Sequence, residues 1–471
     1  MNSSSPLEHR SSSLRNLIPL AVLALAAAFA PGLRAQIMDL NGNTLGFGNY
    51  TASPPTWTSN STTIWTTSAN GTSDTDTWFS LGGGSSSVTQ FNTSNSSATT
   101  TITVAEDFAV QGLTATGPRG VFLSASANKT ITLSPNAIIN VSGGGFLTIG
   151  SFVTLSGNFT KTGSSNFRLG GVTSRLYAGT ATVDAGLLEL ESTPNTSAAT
   201  NIVLGSSGNL SLVNSGNWTI GNLSGGGSNS TFTSPTAGNT TFTITQTTDG
   251  SYSGRILKNP LLAANRSFAI TKNGSATLTL SGNNTYDGVT TINSGNLTLS
   301  NTSGGGAGTG AVTISGGTLA VAPSGSGANV SVTGGTSVAG TLFTYNPGAT
   351  LSLNKGTQSS LTYTFGATGA AFARGTNGTL ILSTSDISKL GETVANGGER
   401  FIINGTAPAV VNNLVSGVVA QNRASSNAGD FVTYDATNGF KAATYTLTDT
   451  FAGSDATSVI NIANQCCPTR T

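Results

Sequence analysis

A five-residue phrase, Gly-x-Leu-x-aliphatic, recurs along this chain and constrains its fold more than any other feature. Its six copies occupy residues 145–149, 186–190, 208–212, 295–299, 317–321 and 378–382. The intervals between their glycines, 41, 22, 87, 22 and 61 residues, are close to whole multiples of about 21 residues. The phrase alternates like a β-strand and is too short for a helical period. The spacing therefore predicts a solenoid of stacked strands.

Other short alternating runs fill the intervals between these copies. They include residues 101–104, 130–133, 139–141, 153–155 and 202–204, and Gly-rich or Asn-Gly turns separate them. Such runs predict an all-β parallel β-helix (β-solenoid), in which Leu, Val and Ile point inward and Thr, Ser and Asn point outward. At about 21 residues per coil, residues 36–471 would form roughly 20 coils and a rod on the order of 100 Å long.

The composition agrees with stacked coils and disagrees with an ordinary globular domain. Charged residues make up 8% of the 471 residues, against about 25% in typical domains. Glycine is abundant, with 61 residues, and the formal net charge is +1. No basic stripe is present, so we expect no nucleic-acid partner.

Residues 1–35 have the pattern of a secretory signal peptide. Arg10 and Arg15 form a positive region, residues 17–29 are apolar, and Ala35 offers a small residue before a cleavage site. A membrane anchor is the alternative, but the apolar run is shorter than the roughly 20 residues that a span needs. We expect export through the Sec pathway and a secreted or cell-surface location.

Residues 36–100 differ from the rest of the chain because they contain three of its four tryptophans, Trp57, Trp65 and Trp78. A solenoid exposes a strand edge at each end, and terminal coils are accordingly atypical. We expect this region to form an N-terminal cap. The alternative is a platform on which sugar rings stack. We assign residues 101–385 to the β-helix and residues 386–471 to a less regular continuation that leaves truncation open.

The segment 269–300 resembles the autotransporter-associated β-strand repeat, also called the passenger-associated transport repeat, of bacterial passenger domains. The resemblance rests on a Thr-Lys pair, a Gly-rich turn, a Thr-Leu-Thr-Leu-Ser-Gly run, an Asn-Thr-Tyr-x-Gly run and a closing Gly-x-Leu. These are Thr271, Lys272, residues 277–282, 284–286, Gly288, Thr290, Ile292, Gly295 and Leu297. The resemblance implies a right-handed parallel β-helix that is exported, and a repeat that assists folding and translocation.

One departure from that family concerns attachment to the membrane. Residues 401–471 show no sign of the outer-membrane translocator that follows a passenger in the family. We therefore expect that any membrane association, including association with the outer membrane, depends on a missing or separate anchor. The export machinery is the partner that the resemblance implies.

The residue types that carry most enzyme chemistry are scarce. The only histidine, His9, lies in the expected signal peptide, and the two cysteines, Cys466 and Cys467, are adjacent near the end of the chain. A Ser-His-Asp triad and a histidine metal site are thereby excluded from the mature chain. We predict no catalytic, cofactor-binding or metal-binding residues and no cofactor, and the exported body lacks a disulfide framework.

Carboxylates are the remaining route to catalysis, because many parallel β-helices cleave acidic polysaccharides with clustered Asp or Glu. The candidates are Asp74, Asp76, Glu106, Asp107, Asp184, Glu189 and Glu191. Glu189 and Glu191 stand two apart in a strand phrase and should face outward on one side. We expect a solvated strand face there, and no basic residue flanks the pair in sequence.

Two functions follow from these observations. The first is an exported structural or adhesive surface protein without catalysis, whose outward Thr, Ser and Asn side chains contact surface glycans or other cell-surface components. The second is a carbohydrate-active β-helix, either a polysaccharide lyase or a glycan-binding protein. Convergence of three carboxylates and a cation in one groove would favour the lyase.

Overall fold

A computed structural model describes residues 88–92, 99–170, 177–191, 200–336, 341–424 and 429–444, and the backbone of 35–39, 56–57, 65–66, 446–447 and 460–461. These residues form 40 strands and two 3-10 helices, Ile387–Lys389 and Val394–Asn396. Nearly all strand pairs are parallel, and most join residues about one coil apart in the chain. The predicted all-β parallel solenoid is confirmed. The right hand of the winding stays a prediction.

The strands are numbered in chain order. They are β1 (Ala35–Asp39), β2 (Thr56–Trp57), β3 (Trp65–Thr66), β4 (Val88–Asn92), β5 (Thr100–Val104), β6 (Phe108–Thr116), β7 (Val121–Ser124), β8 (Lys129–Val141), β9 (Phe146–Ile149), β10 (Val153–Ser156), β11 (Phe159–Thr162), β12 (Asn166–Leu169), β13 (Gly179–Leu190), β14 (Thr200–Leu212), β15 (Gly216–Ile220), β16 (Leu223–Gly225), β17 (Thr231–Thr233), β18 (Thr240–Thr245), β19 (Gly250–Tyr252) and β20 (Arg255–Leu257). The second half contains β21 (Phe268–Asn273), β22 (Thr277–Leu280), β23 (Thr290–Ile292), β24 (Asn296–Leu299), β25 (Ser303–Gly305), β26 (Val312–Ile314), β27 (Thr318–Val321), β28 (Asn329–Gly334), β29 (Leu342–Tyr345), β30 (Ala349–Leu353), β31 (Ser360–Arg374), β32 (Leu380–Thr384), β33 (Glu399–Thr406), β34 (Val410–Val411), β35 (Leu414–Val415), β36 (Val418–Asn422), β37 (Gly429–Asp435), β38 (Gly439–Ala442), β39 (Thr446–Leu447) and β40 (Ile460–Asn461).

One column of parallel strands runs through the described part of the chain from β4 to β36. Its fourteen members are β4, β6, β8, β11, β13, β14, β16, β19, β22, β24, β27, β30, β32 and β36. At a strand spacing of about 4.8 Å the column is roughly 60 Å long. A second column, β15–β18–β21–β23–β26–β29–β31, forms another face from residue 216 onward.

The coils are less uniform than the phrase suggested. Leu278 pairs with Leu297, whereas Leu382 pairs with Ala420, a step along the chain that is twice as long. The expectation of a nearly constant period is therefore wrong for the C-terminal coils. Both 3-10 helices and the β34–β35 hairpin lie between β32 and β36, so the extra residues are accommodated outside the ladder.

The recurring phrase forms the interior of the solenoid. The leucine of each copy and the aliphatic residue two positions later are all buried. Leu278, Leu297, Leu319, Leu351 and Leu382 are ladder partners in successive coils, and each is 0% exposed. Because strand side chains alternate between faces, one apolar residue in two is enough to fill this core.

The expected cap and continuation can be placed only in part. Trp78 lies outside the described residues, and only the backbone of Trp57 and Trp65 is described, so the cap stays a prediction. Residues 386–424 and 429–442 form strands, short turns and the hairpin, ending in antiparallel β36–β37–β38. There Phe440 stacks on Phe401, with ring centroids 5.5 Å apart. The domain boundaries of the sequence analysis stay predictions.

Replacing Leu297 with alanine tests the stacked core. Leu297 is fully buried between two leucine rungs, so we expect Leu297→Ala to lower the free energy of unfolding by about 2–5 kcal/mol. Urea unfolding followed by circular dichroism measures this. The outward neighbour Thr298 is the matched control, and Thr298→Ala should cost less than about 1 kcal/mol. Equal losses from both variants would contradict an interior at Leu297.

Candidate functional site: lysines buried at two turns

Two lysines point into the core of the solenoid. Lys161 ends the inward alternation of β11, and Lys272 does the same in β21; both are 0% exposed. Lys161 lies between Ile139 and Val183 in its ladder. Lys272 lies in the same way between Ile244 and Ile292. Each lysine therefore takes the place of an aliphatic residue in an apolar stack.

The Lys161 amine binds backbone carbonyls from two successive coils. Its Nζ donates to the carbonyl oxygens of Thr162 at 2.9 Å and Gly163 at 2.6 Å, in the turn that follows its own strand. It also donates to Ala185 in the next coil at 3.0 Å. An ammonium group has three N–H donors. All three are used, and the amine joins one turn to the turn stacked on it.

Lys272 repeats this arrangement at the end of β21. Its Nζ donates to Asn273 at 2.8 Å and Gly274 at 2.9 Å, and to Ser294 in the next coil at 3.2 Å. We call each lysine with its three carbonyls a lysine latch. The carbonyls of each lysine's own coil lie at the end of its strand or just beyond it, and the amine adds a donor to them. Asn273 also accepts from the Gln246 N–H, and Gly274 from Ser294 Oγ.

Burial changes the protonation of both amines. It disfavours the charged form and lowers the pKa of Lys161 to about 8. Burial also lowers the pKa of Lys272 to about 8, against a smaller opposing effect from the negative charge of Asp249. Both amines are still mainly protonated at neutral pH. They act there as charged donors, and burial brings their deprotonation close to neutrality.

The glycine of the recurring phrase is part of the same turns. Gly186 and Gly295 follow the next-coil carbonyls directly and adopt positive φ, 71° and 64°. A Cβ on Gly186 would overlap the carbonyl oxygen of Gly163, and a Cβ on Gly295 would overlap that of Gly274. Only glycine allows both the conformation and the close approach. In these two copies the phrase begins with glycine because the chain there lies against the latched turn of the preceding coil.

Asn284 and Tyr286, which belong to the segment that resembles the passenger repeat, are also buried. Asn284 bridges neighbouring coils: its Oδ1 accepts from the Ile256 N–H at 2.8 Å, and its Nδ2 donates to the Gly306 carbonyl at 2.7 Å. The Tyr286 hydroxyl hydrogen-bonds with Thr290 Oγ1 at 2.8 Å. Burial raises the pKa of Tyr286 well above its usual value. These side chains supply hydrogen bonds where a turn interrupts the backbone ladder.

The predicted carboxylates are placed as follows. Glu189 and Glu191 face outward as expected, but a cation lies with them: Arg168, in the preceding coil, approaches Glu189 with Nε at 3.1 Å and Glu191 with Nη1 at 3.5 Å. Asp107 is exposed and accepts from the Thr130 N–H at 2.7 Å, and Glu106 beside it is half-buried. Asp74 and Asp76 lie outside the described residues.

The wider surroundings of these carboxylates bear on the lyase alternative. Among the described residues, no group of three or more His, Cys, Asp or Glu side chains is arranged to hold a metal ion, and Asp184 does not complete one with Glu189 and Glu191. Arg168 forms ion pairs with both glutamates.

No helix in the described part of the chain is long and apolar enough to cross a bilayer.

Sequence reasoning missed the latches and Arg168, although the signal for each was present. Alternation in Phe159-Thr160-Lys161 and in β21 puts each lysine on the inward face. Arg168 precedes Glu189 by one coil and is its direct ladder partner. A search of neighbours one coil away, rather than neighbours along the chain, would have found it.

Comparison with known proteins confirms the resemblance. Residues 159–190 and 270–299 match the model of the passenger-associated-transport-repeat family. Each matched segment contains one lysine latch, and the pairs Lys161 and Lys272, Tyr177 and Tyr286, and Gly186 and Gly295 occupy corresponding positions. No curated protein and no solved structure matches the chain. The two segments therefore carry a repeat associated with the passenger domains of autotransporters.

The latches should make stability depend on pH. The unfolded lysines have a pKa of 10.5, whereas the folded lysines, with a pKa of about 8, lose their protons earlier. Between pH 8 and 10 each lysine binds more protons in the unfolded state than in the folded state, so the two lysines should make the free energy of unfolding rise with pH, by up to about 1.4 kcal/mol per pH unit and lysine. Buried tyrosines such as Tyr286, whose pKa is raised, oppose this rise as the pH approaches the unfolded tyrosine pKa of 10.0.

Urea unfolding at pH 7, 8, 9 and 10 measures this rise. The double variant Lys161→Met, Lys272→Met should lose it, because methionine keeps a similar length and does not titrate. Lys441→Met is the control, since the Lys441 side chain is 46% exposed and its replacement should leave the rise intact. A double variant with the slope of the wild type would show that the lysines do not titrate in the folded state as described.

Proposed function

We propose that this protein is an exported, passenger-like β-solenoid with a structural and adhesive role at the cell surface, and that its two matched coils assist folding after translocation. One observation carries the proposal. Both segments that match the passenger-associated-transport-repeat family contain a lysine latch that joins one coil to the next. Each segment associated with passengers therefore contains a side-chain link between successive coils.

The latch gives a physical account of assisted folding. A solenoid grows by adding coils, each templated by the previous one. An incoming coil that is out of register by one residue would turn its apolar side chains outward. The lysine amine donates two hydrogen bonds to carbonyls of its own turn, which fixes the direction of its third N–H. The incoming coil has to place a carbonyl in that direction. The latch thus favours the correct register for the incoming coil.

The chain also has a composition that suits folding after passage through a membrane. Its two cysteines are adjacent, near the C-terminus, so the solenoid is stabilised by stacking and hydrogen bonds rather than by a disulfide framework. The low content of charged residues, 8%, leaves outward faces of Thr, Ser and Asn for contact with other surfaces. Secretion through the signal peptide proposed at residues 1–35 would deliver the chain to that environment.

The proposal assigns no catalytic step. The carboxylate pair that best fitted a lyase, Glu189 and Glu191, is bound to Arg168 in a compact ion pair. Opposite charges on a partly exposed strand face contribute on the order of 0.2–1 kcal/mol. The pair therefore supports a role in joining two coils, Arg168 in one and both glutamates in the next.

Surface display tests the proposal. The chain is fused to a separate outer-membrane translocator in a Gram-negative host, and the surface fraction is measured by protease treatment of whole cells. We expect the wild type to reach the surface and resist limited digestion. The variant Lys161→Met, Lys272→Met should show several-fold less protease-resistant protein at the surface, because two coil junctions lose their latches.

Lys441→Met is the matched control and should be displayed like the wild type. Wild-type protein that stays in the periplasm while the translocator inserts normally would overturn the exported role. Wild-type and latch-free protein displayed and digested alike would overturn the role of the matched coils in folding.

A further inference from the structure

One outward column of threonines runs along the second face of the solenoid. In the register of β15, β18, β21, β23, β26 and β29, each strand contributes one threonine to the same position. The six ladder partners are Thr219, Thr243, Thr271, Thr291, Thr313 and Thr344. We call them the threonine column.

The column is maintained while the coils that carry it change in length. The step along the chain from Thr313 to Thr344 is half as long again as the step from Thr271 to Thr291. Strand propensity alone does not account for the column, because a comparable outward column on the first face, formed by β22, β24, β27, β30, β32 and β36, contains several residue types. That column reads Thr279, Thr298, Ala320, Ser352, Ser383 and Gln421. The regularity is specific to one face.

The six hydroxyls are available for a ligand. Within the described part of the chain, none of them hydrogen-bonds to another protein group, and all six side chains are half-buried in the sheet surface. One flanking column is held by amides that bond along it: Asn293 Nδ2 donates to Asn273 Oδ1 at 2.9 Å. Asn346 donates to Ser315 Oγ at 3.0 Å in the same way. The hydroxyls thus stand beside a fixed polar edge.

The two columns that flank the threonine column carry no charged side chain. Asp287, which accepts from the Phe268 N–H beside Ala269, borders them, and its charge is paired with that of Lys258. The other flanking column contains Asn217, Thr241, Ala269, Val289 and Leu342, of which Val289 and Leu342 are 41% and 45% exposed. A face of hydroxyls, amides and aliphatic groups has no electrostatic potential that would attract a polyanion or a polycation. Threonine hydroxyls both donate and accept. The surface is therefore matched to a neutral ligand that carries hydroxyl and C–H groups.

We propose that the threonine column binds an extended, neutral polysaccharide that lies along the solenoid axis. The rungs repeat about every 4.8 Å, close to the advance of one pyranose ring in an extended chain, so each coil meets about one sugar. The proposal rests on the exported role proposed above, because such a polymer is encountered outside the cell. It adds the class of ligand and the binding site to the adhesive part of that role.

Chain length is the feature that distinguishes this site from a pocket. Each rung adds one weak hydrogen bond, and a continuous ligand brings successive sugars to the next rung at high effective concentration. Affinity should therefore increase with oligosaccharide length up to about six sugars, the number of rungs, and change little beyond that. A pocket for one or two sugars would saturate with a disaccharide.

The experiment uses the purified full chain and cello-oligosaccharides from disaccharide to octasaccharide, measured by isothermal titration calorimetry, together with adsorption to insoluble cellulose. The test variant is Thr271→Val, Thr291→Val, Thr313→Val, which removes three hydroxyls and keeps the β-branched shape. We expect affinity to increase up to about the hexasaccharide and the test variant to lose roughly tenfold. The control Thr279→Val, Thr298→Val, on the first face, should bind like the wild type.

Circular dichroism and urea unfolding verify that both variants fold like the wild type. Binding that is independent of length, binding unchanged in the test variant, absence of binding, or a preference for polygalacturonate would each overturn the proposal. The proposal would also be overturned if the wild-type protein bound to growing ice, the test variant did not, and neither bound the oligosaccharides. None of these results depends on surface display, so the exported role can fail or hold separately in the display assay.

Discussion

The hydrogen-bonded contact of each coil with the next is the interaction on which the rest of this structure depends. A single coil has an apolar face and an open row of backbone groups, and neither is satisfied until another coil stacks on it. Within strands the ladder provides this, as in the leucine rungs from Leu278 to Leu382. At turns the ladder stops, and side chains such as Lys161, Lys272 and Asn284 continue it.

A buried lysine in an apolar stack needs a reason, because moving an ammonium group out of water is costly. An isoleucine in place of Lys272 would pack well between Ile244 and Ile292 but would remove the amine donor from three carbonyls. Asn273 would keep the Gln246 N–H and Gly274 would keep Ser294 Oγ, so the loss falls mainly on Ser294 in the next coil. The carbonyls lower the cost of the charge, and the charge strengthens the hydrogen bonds to them. The third carbonyl belongs to another coil, so all three hydrogen bonds of the amine form only when both coils are in the correct register. The latch therefore affects the register of the coils as well as their stability.

The sequence is informative about this protein where its pattern is periodic. The Gly-x-Leu phrase predicts the solenoid because, in each of its six copies, leucine is constrained by the core and glycine by a close backbone or side-chain contact. Lys272 could be placed inward by the same alternation, but its partners could not, since turn carbonyls carry no sequence signal. Arg168 stands one predicted period before Glu189 and was missed because neighbours were considered only along the chain. The long coil that ends at Ala420 could not be predicted, since insertions at turns follow no period.

The two roles proposed for this protein are carried by neighbouring residues of one strand that face opposite sides of the sheet. In β21, Lys272 faces the core and latches two coils, whereas Thr271 faces outward in the threonine column. Alternation keeps the two side chains on opposite faces, so the outward residue can change without disturbing the latch. A solenoid of this kind fixes the spacing of its outer surface through its interior: the ladder that stacks leucines inside also sets the rung distance of the threonines outside. A regular ligand surface then follows from the register of the core, and only the identity of the outward residues remains to be selected.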